Sequence, residues 1–240
     1  MSTRESTTRH AGAGASPDAA PPLRSARWLP PLLSVIAGMV DLIGFLSFGI
    51  FTAHITGNIV VIGALLVHHN RVHPAQILAI PVFILAVAAT WLLAKASGRR
   101  GTGLMRLLLL MQFLLLTCLL MFSVITTPSA DPHGLRATIA AMIAVTAMGG
   151  QFALLRLTLP VAPSTAVMTG NLTNAVLALV DSSARTQPLM ESDSRRLRGT
   201  LPLLIGFFVG CVAGAAAVSL LGDWAWSLPV VLATAVVALH

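Results

Sequence analysis

The chain has 240 residues, 56% of them hydrophobic and 10% charged, against about 25% charged in an average soluble domain. Its mean hydropathy is +0.86 and its formal net charge is +7. The basic residues form no basic helix and do not interleave with aromatics, which excludes a nucleic-acid partner.

Residues 1–27 are polar and rich in Ala, Ser, Thr, Pro and Gly; they are read as a disordered cytoplasmic tail rather than a signal peptide. Apolar blocks follow. Residues 29–67 hold one acid, Asp41, and no Lys or Arg, and segments 74–94, 107–130, 137–155, 157–180 and 199–222 hold no charged residue at all. About 20 such residues span a bilayer as a helix, and the blocks lack the polar face of a soluble helix. The fold class is therefore an all-α polytopic membrane protein whose first partner is the lipid bilayer. Cys118 and Cys211 lie within apolar blocks and read as small hydrophobes, not as metal ligands.

The hydrophobic segments form two sets of four: 29–50, 56–68, 74–95 and 104–126, then 134–157, 166–181, 200–221 and 224–239. The second segment of each set carries Thr-Gly-Asn, at Thr56, Gly57 and Asn58 and again at Thr169, Gly170 and Asn171. Duplication is the simplest account, giving a first repeat over 28–126 and a second over 134–240. The connectors decide the topology. Basic residues gather in the tail (Arg4, Arg9, Arg24, Arg27), the middle connector (Lys95, Arg99, Arg100, Arg106) and the segment after the second triplet (Arg185, Arg195, Arg196, Arg198). Only Arg71 and Arg136 stand in the other two loops. The positive-inside bias then favours six crossings plus two short re-entrant half-helices, an inverted repeat with a cytoplasmic N-terminus, over the alternative of eight crossings. Segment 56–68 is about 20 Å long as a helix, too short for a hydrocarbon core of about 30 Å. The stretches 47–55 and 158–167, the latter with Pro160 and Pro163, are expected to be extended returns.

A half-helix starting inside the membrane leaves its first N–H groups open. Thr56 and Thr169 are expected to cap these starts, Gly57 and Gly170 to allow close approach, and Asn58 and Asn171 to present an amide that donates and accepts. Facing helix starts near the midplane would favour an anion or a carbonyl oxygen. The alternative is that the triplets only cap and pack helices. Asp41 is costly in a membrane, and is read as a proton or cation site, or as a partner of Arg156. His54, two residues before Thr56, is a pH-sensing candidate. Gln151 opens the equivalent region of the second half. Arg156 is expected to snorkel to the interface, Asn174 to extend a polar face and Asp181 to mark a segment end. Gly206, Gly210 and Gly214 repeat GxxxG, which allows close helix contact within the chain or in a homo-oligomer. Trp28, Trp224 and Trp226 are placed as interfacial anchors.

The pattern AGMVDLIGFLSFGIFTAHITGNIVVIGALL from Ala37, followed by GGQFALLR and TAVMTGNLTNAV, resembles the YoaK family of bacterial integral membrane proteins over about residues 30–240. The resemblance implies a bacterial cytoplasmic membrane location and a domain of unknown function, with no substrate or catalytic residue to carry over. An Asn is expected after the Gly-Gln of that pattern; Phe152 stands there.

The function expected is a small secondary transporter or exporter of a small anion or polar metabolite. Its substrate site would be formed by Thr56, Gly57, Asn58, Thr169, Gly170, Asn171, Asp41 and Gln151, with no cofactor and no metal. The rivals are a scaffold or assembly factor packing through Gly206, Gly210 and Gly214, and an intramembrane enzyme acting on a lipid. No HExxH, GxSxG or Cys-His arrangement supports catalysis, so the chain is read as not an enzyme.

Overall fold

The computed structural model describes residues 28–67, 72–160, 162–165, 168–184 and 191–240. The expectations for the 1–27 tail, for Arg71 with its neighbouring histidines His68 and His69, for Arg185, and for the side chains of Asp181, Arg195 and Arg196 lie outside the described residues. Among the described residues eight α-helices follow in order: α1 Leu29–Phe48, α2 Gly57–Val67, α3 Pro74–Ala96, α4 Gly101–Thr126, α5 Leu135–Thr158, α6 Met168–Ala184, α7 Glu191–Leu221 and α8 Ser227–Leu239. Short 3₁₀ turns at Pro128–Ala130 and Gly222–Trp226 precede α5 and α8.

Each boundary has a local cause. Prolines open α1 and α3, where a missing N–H costs nothing. Gly49 ends α1 in the left-handed region, its N–H bonded to the Phe45 carbonyl. Leu197–Leu239 is a continuous apolar stretch of 43 residues, but Gly222, at φ 55°, breaks it into two helices. Among the described residues five apolar spans are long enough to cross a membrane, the last covering most of α7 and α8 together, and α2 and α6 are shorter. α7 begins earlier than its apolar block, because the polar residues from Glu191 onward are also helical.

The core sits on α1 and α5. In their most apolar windows 67% and 78% of residues are buried, against 22–39% in the other spans. What marks α5 as central is small side chains: Ala137, Ala140, Ala141, Ala144 and Ala147 are buried, with Gly149 and Gly150 beyond them. Small residues let neighbouring backbones approach where lipid supplies no hydrophobic drive between helices. Large apolar residues such as Val60, Leu85 and Phe208 are instead exposed, as on a lipid-facing surface.

The packing pairs are the same when the halves are exchanged. α1 packs on α7 and α5 on α3, α4 on α5 and α8 on α1, and α2 on α3 and α6 on α7. The helix ends sort into two groups. At one end Gln76 donates to the Gly49 carbonyl (3.4 Å), Phe48 stacks on Trp226, the His73 and His133 rings meet, and Ser129 donates to Asp223. Burial, then the neighbouring His133, holds the His73 imidazole below the ordinary histidine range. At the other end Arg106 meets the His240 carbonyl, and Trp28 and Pro31 share a cavity with Pro163, Arg198 and Pro202. Trp28 and Trp224 are exposed, as anchors are, but Trp226 is 1% exposed and packs inside the bundle.

Candidate functional site: two loops closed by asparagine

The chain leaves α1 at Gly49 and enters α3 beside it, so residues 50–67 go into the bundle and return. Asp41, 5% exposed, holds this loop. Its Oδ1 accepts the backbone N–H groups of Thr52 (2.8 Å), Ala53 (2.7 Å) and His54 (3.3 Å). Its Oδ2 lies 2.7 Å from His54 Nδ1. A buried carboxylate is tolerated because four donors surround it. Asp41 therefore pairs with His54; Arg156 is exposed near the end of α5, a position suited to snorkelling. His54 keeps 31% of its side chain exposed, and its ring meets Phe207 edge-on at 5.0 Å.

Asn58 closes the same loop from the other side. Its Oδ1 accepts the Phe51 N–H (2.9 Å) and its Nδ2 donates to the Phe51 carbonyl (2.8 Å). Both faces of the amide are thus engaged. Asn171 makes the matching donor bond in the second half, to the Ser164 carbonyl at 2.8 Å. In each half the asparagine reaches back seven residues, so the two loops are built alike. We expect Asn58→Leu to orphan both backbone groups of Phe51 and lower stability by about 2 kcal/mol, read as a lower melting temperature in detergent. An unchanged melt would show that the amide does not close the loop.

The threonines and glycines of the triplets act differently from the expectation. Thr56 is exposed and caps nothing with its side chain. The N–H groups of Gly57, Asn58 and Ile59 go to the carbonyls of His54, Ile55 and Thr56. A tight 3₁₀ entrance thus satisfies the start of α2, and these amides are not open to an anion. Thr169 lies inside α6, which starts at Met168; its carbonyl accepts the Thr173 hydroxyl. Gly57 lies under the Phe51 ring, where a Cβ would sit 2.9 Å from a ring carbon. Gly170 lies in the first turn of α6, and Asn174 is exposed on the same helix. Of the stretch 47–55, residues 47 and 48 still belong to α1, and residues 49–55 are irregular backbone bent at 49, 52 and 53.

Gln151 is not part of either loop. It is fully buried, accepts from Gln112 Nε2 (2.6 Å) and donates to the Leu33 carbonyl (2.9 Å). It ties α5 to α4 and α1. Phe152 beside it packs toward Phe83. The Gly206, Gly210 and Gly214 stripe faces α1, against Pro31, Val35 and Met39.

Two residues absent from the sequence expectation are Thr52 and Thr165. Both are 0% exposed, and both hydroxyls lack a hydrogen-bond partner among the described residues. The signal was available: the repeat is not Thr-Gly-Asn alone but Thr-Ala-x-x-Thr-Gly-Asn, at residues 52–58 and 165–171. At the same spacing Asp41 corresponds to Leu154 and His54 to Val167, so the acid–imidazole pair belongs to the first half alone.

These features define a polytopic α-helical membrane protein with paired, internally closed loops. The chain belongs to the family described as "Protein of unknown function (DUF1275)", which matches residues 29–239. No curated protein and no solved structure matches it.

Proposed function

We propose that the chain is a small secondary transporter of a polar metabolite. In this reading α1, α3, α4, α5, α7 and, together with the Gly222–Trp226 turn before it, α8 cross the membrane, and α2 and α6 return to the side they entered from. The two halves then run in opposite directions. Support comes from the shared end of α1 and α3 and from the exchangeable packing of the halves. The sorting of cations adds to it: Lys95, Arg99, Arg100, Arg106 and Arg198 belong to the end that carries Trp28, and Arg136 to the opposite one. By the positive-inside bias the first end is cytoplasmic.

The observation that carries the functional reading is the pairing of buried Asp41 on α1 with half-buried His54 on the loop that enters the bundle. An intramembrane carboxylate beside a partly open imidazole can take up and pass on a proton. The buried hydroxyls of Thr52 and Thr165, unclaimed among the described residues, would offer a polar substrate hydrogen bonds once the loops part. A bare anion fits less well, because the first amides of α2 are already bonded. Repeats with broken helices meeting in the membrane are a common transporter plan.

Two experiments test this. Single cysteines at Asn70, Gly101 and Met190, in a chain lacking Cys118 and Cys211, are labelled in intact cells with an impermeant thiol reagent. Reaction at position 70 alone is expected; reaction at 101 alone would mean eight crossings and parallel halves. Vesicles holding the purified protein and a pH-sensitive dye are then challenged with gradients of amino acids, polyols and monocarboxylates. Substrate-dependent proton movement is expected from the wild type and not from Asp41→Asn. Folded protein inert to the whole panel would favour the scaffold.

A further inference from the structure

The turn between α3 and α4 carries a site that the transport reading does not use. A cavity of about 360 Å³ is lined by Trp91, Ala94, Lys95, Arg99, Arg100 and Leu104, with Leu157 of α5 at its edge. Its floor is apolar and its rim is cationic. Among the described residues no carboxylate pairs with Lys95, Arg99 or Arg100. Lys95 lies over the Trp91 ring at 4.1 Å, which fixes one cation at the rim. α4 starts at Gly101, and its Arg100 cap residue supplies no side-chain cap, so the positive end of a long helix points to the same place.

A second, wide and shallow hollow of about 500 Å³ lies on α3 and shares Trp91 with it. It is lined by Phe83, Ile84, Val87, Ala88 and Trp91 and is almost wholly apolar. Trp91 belongs to both cavities. The two together make a cationic head pocket opening into an apolar groove that runs down a lipid-exposed helix. A soluble anion would use only the first part. We propose that this is a binding site for an anionic phospholipid: the phosphate lies among Lys95, Arg99 and Arg100, Trp91 sits at the glycerol level, and an acyl chain lies along Phe83 to Ala88. Tryptophan at that depth and basic residues at the membrane surface are the usual marks of such recognition.

Native mass spectrometry of the full chain in detergent tests the assignment, using phosphatidylglycerol and phosphatidylcholine with the same acyl chains. Preferential retention of phosphatidylglycerol is expected. Arg99→Gln/Arg100→Gln should lower its affinity about 30-fold, from the roughly fivefold that each basic residue contributes near an anionic surface. Both arginines are exposed, so the melting temperature should hold. Ala88→Trp, on the exposed face of α3, fills the groove and should weaken phosphatidylglycerol binding several-fold with the head pocket intact. Inorganic phosphate at millimolar concentration should not displace the lipid. Equal retention of the two lipids, full binding by the double arginine variant, indifference to Ala88→Trp, or displacement by phosphate alone would each overturn the proposal.

Discussion

Asp41→Ala is expected to lower stability by about 3–5 kcal/mol, the cost of removing one partner from a buried, hydrogen-bonded charge site. One carboxylate accepts three consecutive loop amides and an imidazole. Its loss leaves those donors unpaired where water has little access, at about 1–3 kcal/mol for each group left unsatisfied. The melting temperature in detergent is the measurement, with proteolysis within residues 50–56 as a local readout. Asp41→Asn gives the contrast: its Oδ1 can still accept from Thr52 and Ala53, and its amide can donate to a His54 ring protonated at Nε2. That variant should lose only about 1 kcal/mol while losing the charge altogether. A stable, transport-dead Asp41→Asn beside an unstable Asp41→Ala would separate the chemical role from the architectural one. A wild-type melt for Asp41→Ala would mean that the loop holds itself.

The second loop shows how little of this anchoring is generic. It has the same threonine, the same glycine and the same asparagine, seven residues from the carbonyl it binds. Yet the α5 position matching Asp41 is Leu154, which is fully buried. The second half therefore has no acid at the matching position, and the Asp41–His54 pair belongs to the first half alone. Such local asymmetry inside a duplicated frame is where divergent chemistry is expected, because the frame supplies the fold to both halves.

The membrane class and the eight helices, with α2 and α6 among them, were legible because long apolar blocks mark membrane helices, although α7 starts nine residues before its block. The break between α7 and α8 was legible too, falling between the blocks 200–221 and 224–239; the central place of α5 was harder. Hydropathy does not distinguish a helix facing lipid from one facing protein; alanine and glycine spacing does, as the buried alanines of α5 illustrate. The site was legible in its residues but not in their roles. Asp41 on α1 and Asn58 on α2 both bind the loop that carries His54. What the sequence did not display is that Asn58 and the first amides of α2 are consumed by backbone partners. Hydrogen bonds to main-chain groups depend on loop geometry, which residue identity leaves open. Thr52 and Thr165 went unread because the repeat extends four residues before its most visible triplet.

Gly210→Ala should be nearly as damaging as Asp41→Ala, for a steric reason. A Cβ at Gly210 would run into the Val35 carbonyl oxygen and lie 3.0 Å from the Met39 nitrogen, both backbone atoms of α1. A flexible side chain could move aside; a parallel helix backbone cannot without separating along its length. Gly38 makes the reciprocal contact, against the Phe207 carbonyl, so the two helices interlock from both sides. Overpacking of this kind costs about 1–3 kcal/mol in ordinary cores, and here it would also loosen the Ser34 hydroxyl from the Leu203 carbonyl, 2.7 Å away. We expect about 3 kcal/mol for Gly210→Ala and more for Gly38→Ala/Gly210→Ala. Gly63→Ala, with open space around the added Cβ, serves as the silent control. The same variant distinguishes two uses of the stripe. If its contact is with α1, Gly210→Ala lowers the melting temperature and leaves the oligomeric state of the surviving folded protein unchanged. If the stripe instead joins two copies, Gly210→Ala shifts the oligomer toward monomer in light scattering while each protomer melts as before.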